Sequence, residues 1–515
     1  MKQYIRNITV GAALLLMAGS CTDKFEEYNT NQYQIHEADP ATLMKSMIET
    51  IVNIQQNDSQ MQDQMVGQFG GYLCPSNTWS GTNFGTFNVS DAWNASPWNT
   101  NFEKIYGNFF QIQEATNSTG HYYAFACMIR AINMLRIVDS YGPLPYSQVK
   151  KGNFYVSYDT QEQVYKNILE DLANAADVLY DYNTETNGYA PLGSNDPVYS
   201  GNYASWAKLA NSMRLRVAMR ISEFLPDVAR EAAEAAVSHR AGLIETNADN
   251  AMMSCGTQTN PYQLAAVSWG DLRVNANIVD YMNAYNDPRA DKYFNKSTIS
   301  GMTDQYVGMR TGDADFIKAD AGGFSTPNIN AGDALLVFCA AETAFLRAEG
   351  KLRNWNVGDK TAKEYYEEGI NLSMSQYSVS GDEYMNIDSA PVVSHASDGV
   401  QKAPASITNT VSVKWDDSDN TLTGKNFQRI ITQKWIANYP LGLEAWAEYR
   451  RTGYPEMYPC IDNLSNGVVS SSRGMRRLAF PYTEKQNNKA NCDQGATDLD
   501  GGDTPATDLK WAKKD

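Results

Sequence analysis

Apolar residues recur every three to four positions over most of this chain, a period that predicts helices. Residues 41–66 follow Asp39 and Pro40, a helix-start signal, and place Leu43, Met47, Ile51 and Ile54 on one face. From Phe102 a second face runs through Ile105, Phe109 and Ile112. After Ser118, Thr119 and Gly120 a third carries Ala124, Cys127, Ala131, Leu135 and Val138, so two helices meet in an antiparallel hairpin. The arrangement recurs in Val164, Ile168, Leu172 and Ala176, and in Trp206, Ala210, Met213, Val217 and Ile221, which Leu225 and Pro226 close ahead of an alanine-rich helix over 228–237. Residues 335–350 read as helix, as does the face of Ala362, Tyr366, Gly369, Ile370, Ser373 and Tyr377.

Helix pairs with small and aromatic residues at these spacings predict a mainly α, tetratricopeptide-like helical-repeat scaffold with long irregular insertions. Each pair buries its neighbour's apolar face, although none satisfies the full repeat consensus. The insertions lie near 67–101, 247–271, 293–332 and 380–425, where Gly, Asn, Ser, Thr and aromatics replace the helical period. Structureless segments longer than about fifteen residues are uncommon unless they serve a function, so ligand binding is expected there.

The first insertion interleaves Phe69, Tyr72, Trp79, Phe84, Phe87, Trp93 and Trp98 with Asn77, Asn83, Asn88, Asn94 and Asn99. Flat rings cover the C–H face of a pyranose while amides pair with its hydroxyls, which is the mixture a sugar platform needs. Tyr72, Asn77 and Trp79 surround Pro75 and Gly81, where the backbone turns. The second insertion adds Tyr262 and Trp269, beside Asn260, Asp271 and Arg273; Tyr306 and Arg310 are weaker candidates from the third. The expected ligand-binding set is therefore Tyr72, Asn77, Trp79, Trp98, Tyr262 and Trp269. Each ring has a plainer alternative, anchoring an irregular loop to the helices.

The N-terminus changes the picture of where these rings act. Lys2 and Arg6 precede an apolar run over 8–18 and then Ala18, Gly19, Ser20 and Cys21, a secretory signal over 1–20 whose Cys21 becomes the lipidated mature terminus. A run of about eleven residues is too short to span a bilayer, which takes about twenty, so the membrane attachment is a lipid anchor. Residues 21–40 form a polar, acidic tether, and 41–515 a single domain. Loss of residues 1–20 removes two cations and no anion, taking the formal charge from -17 to -19. That balance excludes nucleic acid, whose binding needs a basic patch. Apolar residues at 43% suffice for a large core.

Catalytic and metal signals are sparse. No Gly-x-Ser-x-Gly elbow, phosphate loop or His-Glu-x-x-His is present, and four histidines with no Cys-x-x-Cys give no zinc spacing. Asp313, Asp315 and Asp320, or Asp498, Asp500 and Asp503, read as solvated acidic loops rather than calcium sites, lacking the EF-hand glycine and terminal glutamate. No cofactor, metal or catalytic residue is expected. A surface glycosidase needs only two carboxylates about 5–10 Å apart, so a lipid-anchored hydrolase stays open beside a purely structural adaptor.

Several stretches together resemble the SusD/RagB nutrient-binding lipoproteins. They are NTN at 29–31, LRIVDSYGPLPY at 135–146, QKWI at 433–436, EAWAEYRRTGYP at 444–455, RRLAFP at 476–481, Glu484 with Asn487 and Asn488, and GGDT at 501–504. The resemblance implies an outer-membrane lipoprotein facing the cell exterior. It would capture an oligosaccharide or glycan, with a peptide as the alternative, without cleaving it, and deliver it to a TonB-dependent SusC-like barrel. The motifs themselves are structural: Glu444, Arg450 and Arg451 are expected in an internal ion-pair network rather than on the ligand.

Overall fold

The structure is a computed structural model and describes residues 39–513, apart from 154, 402 and 403. The signal, Cys21 and nearly all of the tether lie outside the described residues. The longer helices are α1 (Pro40–Ile48), α2 (Asp91–Thr116), α3 (Gly120–Tyr141), α4 (Gln161–Glu185), α5 (Tyr203–Arg220), α6 (Pro226–Ser238), α7 (Ala276–Ala284), α8 (Ala340–Leu352), α9 (Ala362–Gln376), α10 (Lys425–Ala437) and α11 (Gly442–Thr452). Their starts follow local chemistry. Ser90 accepts a hydrogen bond from the N–H of Trp93, Thr160 from that of Gln163, and Asn202 from that of Ser205, while Thr361 and Glu364 close a reciprocal capping box. Consecutive helices from α2 to α6, and then α8 with α9, pack along one another as the hairpins of a tetratricopeptide-like scaffold.

Two of the helix boundaries that differ from the sequence pattern have local causes. The helix expected over 41–66 stops at Ile48, because Thr50 bonds back to the Met47 carbonyl and Asn53 turns its backbone and side-chain N–H groups onto Asp63. The chain resumes as a π-helical stretch, Ser59–Val66, and a tight turn, Gly67–Gly70. That turn packs against α11 so closely that a Cβ on Gly442 would sit 2.4 Å from the Gly67 carbonyl oxygen. The second difference is the apolar run Leu335–Phe338, which is a strand rather than the first turn of a helix. A short, wholly apolar run fits either element by periodicity; this one pairs antiparallel with Ala251–Met253.

The strands are short and come in pairs: β1 (Leu73–Pro75) with β3 (Leu272–Val274), β2 (Ala251–Met253) with β4 (Leu335–Phe338), and β5 (Val393–His395) with β6 (Ala405–Ile407). One continuous apolar core runs through the helices. A second, small core of Cys74, Val307, Met309, Phe316, Ala321 and Phe324 lies apart from it, under the insertions.

Where α5, α8, α10 and α11 meet, the interior is charged. Arg216 binds Glu342 through two nitrogens, Arg220 reaches Asp139, Glu444 and Glu448, and Arg451 reaches Glu349 and Glu448, with Lys434 on Glu448. Glu444 and Arg451 thus occupy the expected network. Arg450 does not: its guanidinium lies 3.6 Å over the Trp446 ring and 4.9 Å from Trp511, and donates to the Arg476 carbonyl. Burial with no carboxylate in contact pushes its pKa well down.

A buried histidine ties the 380–425 insertion to α7. Nδ1 of His395 lies 3.0 Å from Asp280, and Nε2 lies 3.7 Å from Asp398. Burial alone would lower its pKa, but the two carboxylates raise it to about 9. A folded-state value above the ordinary 6.5 stabilises the fold fully below that pH, and the contribution fades as pH rises through about 9. His395→Gln is therefore expected to cost about 2–3 kcal/mol at pH 6 and clearly less at pH 10. Urea titrations of both proteins at the two pH values check this; a pH-independent difference would show the imidazole to be neutral.

Candidate ligand-binding site

Three of the insertions converge on one face. β1 and β3 pair antiparallel, with Leu73 opposite Val274 and Pro75 opposite Leu272. The ribbon is extended by Ser76, whose N–H donates to the Asp271 carbonyl and whose hydroxyl donates to the Gly270 carbonyl. The third insertion joins through the N–H of Val274 donating to the Ser325 carbonyl and through Arg273. Arg273 is buried and donates to the carbonyls of Ala321, Ala266 and Leu272, so one guanidinium fastens two insertions together. The small second core lies beneath, with Cys74 from the first insertion packed against five residues of the third.

A hydrogen bond from Asn77 to Asp271 links the segments that carry Trp79 and Trp269, and Asn77 and both indoles are half-buried. The Asn77 amide donates to Asp271 at 3.2 Å, and Lys318 pairs with the same carboxylate oxygen at 2.6 Å. Asn77 Oδ1 in turn accepts from the Trp79 N–H at 3.0 Å. Trp79 has a φ of 40°, in the left-handed region that bulky residues avoid, at a cost of order 1–3 kcal/mol. Its indole is propped edge-on against Trp93 at 5.3 Å. Trp269 ends a π-helical turn, Leu264–Trp269, and Gly270 with φ 69° reverses the chain behind it. Val267 and Ile317, 61% and 56% exposed, add apolar surface from the second and third insertions.

Three expected contact residues belong to the interior instead. Tyr72 is 0% exposed, stacks on Trp435 at 5.5 Å and donates its hydroxyl to the Trp435 carbonyl. Trp98 is 3% exposed because α2 begins at Asp91, eleven residues before the expected start of its helical face; its ring then falls in line with Ile105, among Phe102, Tyr141 and Tyr158. Tyr262 is 3% exposed and lines a separate cleft beside the β2–β4 ribbon, not this face. Tyr306 donates to Asp291, and Arg310 is buried over the Tyr458 ring, donating to the Pro459 carbonyl.

The sequence pattern missed Lys318, Val267 and Ile317. Nothing in their spacing marks them, since they gain meaning only when segments far apart in the chain are paired. Among the described residues no group of three or more His, Cys, Asp or Glu side chains is placed to hold a metal ion, and all six cysteines are free thiols. Asp498 is taken up by Gln161 and Lys510, and Asp503 by Arg477 and Lys485. No helix of the described residues is long and apolar enough to cross a membrane.

A stack of helical hairpins with looped-out indoles and amides on its insertions defines a helical-scaffold class of protein with a candidate binding face. A family model described as SusD-like, SusD and RagB outer membrane lipoprotein, matches residues 22–512, and the chain belongs to that family. Its fold is shared with a SusD-like protein from Bacteroides thetaiotaomicron, 34% identical over 93% of this chain and 99% of that one, with a TM-score of 0.87. A SusD homolog from Bacteroides uniformis is 37% identical over 92% and 99%, with a TM-score of 0.86. A chitin-binding SusD homolog from Flavobacterium johnsoniae is 32% identical over 92% and 99%, at 0.84. No curated protein matches the chain.

Proposed function

We propose that the protein is a non-catalytic surface lipoprotein that captures an extracellular oligosaccharide on the face of Trp79, Trp269 and Asn77 and passes it to a TonB-dependent SusC-like barrel. The observation that carries the reading is the convergence of the three insertions. Two half-exposed indoles and an amide already engaged by Asp271 give stacking surface and hydrogen-bonding groups held in place before a ligand arrives, which cuts the ordering cost of binding. The chitin-binding homolog supports a glycan as the ligand class and makes chito-oligosaccharides the first probe. Calorimetry of the domain against chito-, cello- and malto-oligosaccharides tests it. Saturable binding with the sugar recovered intact is expected, whereas shortened product after long incubation would make the protein a hydrolase.

The lipid anchor is Cys21. Cys21→Ala is expected to abolish acylation and leave the protein unprocessed or released from the membrane fraction, read by intact mass and fractionation; an unchanged mass and unchanged membrane association would place the anchor elsewhere.

A further inference from the structure

A cleft of about 540 Å³ opens between the β2–β4 ribbon, the C-terminal end of α9 and the loop around Asn328. That volume falls within the roughly 300–1,000 Å³ of small-molecule sites. None of Asn77, Trp79, Trp269 or Lys318 lines it. Its wall is aromatic: Tyr293 stacks on Tyr439 at 4.7 Å, and half-exposed Tyr377 meets Tyr293 edge-on at 4.9 Å. Such a wall offers ring surface at the mouth and a rigid backing behind it.

Most asparagines of the cleft and Asp333 are hydrogen-bonded within the chain, but two polar groups among the described residues are left without a protein partner. Tyr439 is 3% exposed, yet its hydroxyl has no hydrogen-bond partner. Leaving a buried hydroxyl unpaired is costly enough that native structures rarely do so without a water, an ion or a ligand to reach it. The Gln376 carbonyl oxygen accepts from Asn250, which fixes the amide and leaves its N–H donors without a partner among the described residues. At the rim, Lys292 makes no ion pair with any described residue, and Asp333 supplies one carboxylate. One cation and one anion cancel, so the cleft favours no net charge on its occupant. Side-chain amides, hydroxyls and ring faces match the hydroxyls and C–H surface of a sugar.

We propose that this cleft is a second saccharide site, taking a short neutral oligosaccharide with Tyr377 as the stacking ring and Gln376 and Tyr439 as hydroxyl partners. The inference rests on the reading of the protein as a glycan receptor and adds a site to it. Native mass spectrometry with cellotriose, maltotriose and triacetylchitotriose tests it on four proteins: wild type, Ser375→Trp, which plugs the mouth, Gln376→Ala, and the double variant Trp79→Ala/Trp269→Ala.

For a trisaccharide that binds, the wild type is expected to take two molecules. The double variant should keep one, Ser375→Trp should keep the other, and Gln376→Ala should weaken the cleft site about tenfold. Should Ser375→Trp fail to fold, Gln376→Ala in the double-variant background gives the same reading, as an about tenfold weaker affinity for the remaining molecule. A stoichiometry of one that vanishes in the double variant overturns the cleft while leaving the glycan reading intact. No binding of any of the three sugars to the wild type overturns both.

Discussion

Arg220→Met is expected to lower the unfolding free energy by about 3–5 kcal/mol, the largest loss of any single substitution considered, because it strands buried carboxylates rather than removing a contact. Arg220 is 1% exposed and holds Asp139, Glu444 and Glu448 at 3.2, 2.6 and 2.7 Å. Without it, Glu444 keeps only Arg216 at 3.8 Å and Lys434 at 3.9 Å. Burial already raises the Glu444 pKa, so the variant should relieve itself by protonating that group as pH falls. Burial opposes ionisation of Glu448 too, but there Arg451, Lys434 and Arg220 prevail and hold it well below the carboxylate range. A depressed folded-state pKa stabilises above about 4.5 and is lost as pH falls through the folded value. Both effects run the same way, so the gap between wild type and variant should be widest at pH 7 and narrow at pH 4. Urea denaturation at both pH values measures it, and a loss under about 1 kcal/mol at pH 7 would mean that water has taken over the role of the guanidinium.

Trp79→Ala and Trp269→Ala are each expected to weaken glycan binding by about 2 kcal/mol or more, roughly thirtyfold. Each indole also packs on the protein. Trp79 leans on Trp93 and the main core at a left-handed backbone position that alanine, which keeps its Cβ, does not relax, so a small drop in melting temperature is expected with it. Trp269 caps a π-helical turn and packs partly on the main core, so a small drop in stability is expected with it. Calorimetry beside thermal melts separates the two effects. Unchanged affinity in both variants would move the ligand off this face.

The helical scaffold was legible because the 3.6-residue period is a local property, written within each helix by residues such as Val164, Ile168 and Leu172. Its failures were local as well. Asn53 and Thr50 compete for backbone groups and cut the first helix short, and Leu335–Phe338 carries no period to read. The proposed face was legible only in part. Composition marked insertions that the fold links, and Asn77, Trp79 and Trp269 are partly open, but composition could not say which side of a ring meets water. Tyr72 and Trp98 have the same chemistry as Trp79 and opposite burial, decided by contacts with Trp435 and Tyr141 that only the folded chain supplies. The pairing of Lys318 with Asp271 belongs to the same category.

The small core of Cys74, Val307, Met309, Phe316, Ala321 and Phe324 gives the binding face its own foundation. Substitutions that keep those six residues and Arg273 can vary Val267, Ile317 and Lys318 without disturbing the packing of the helices, whereas Trp79 and Trp269 also rest on the main core. On the proposed reading, a lineage drawing on this fold can acquire receptors for new ligands by exchanging the outer layer of the loops. The helices, and whatever docks on them, remain free to stay the same from one diet to the next.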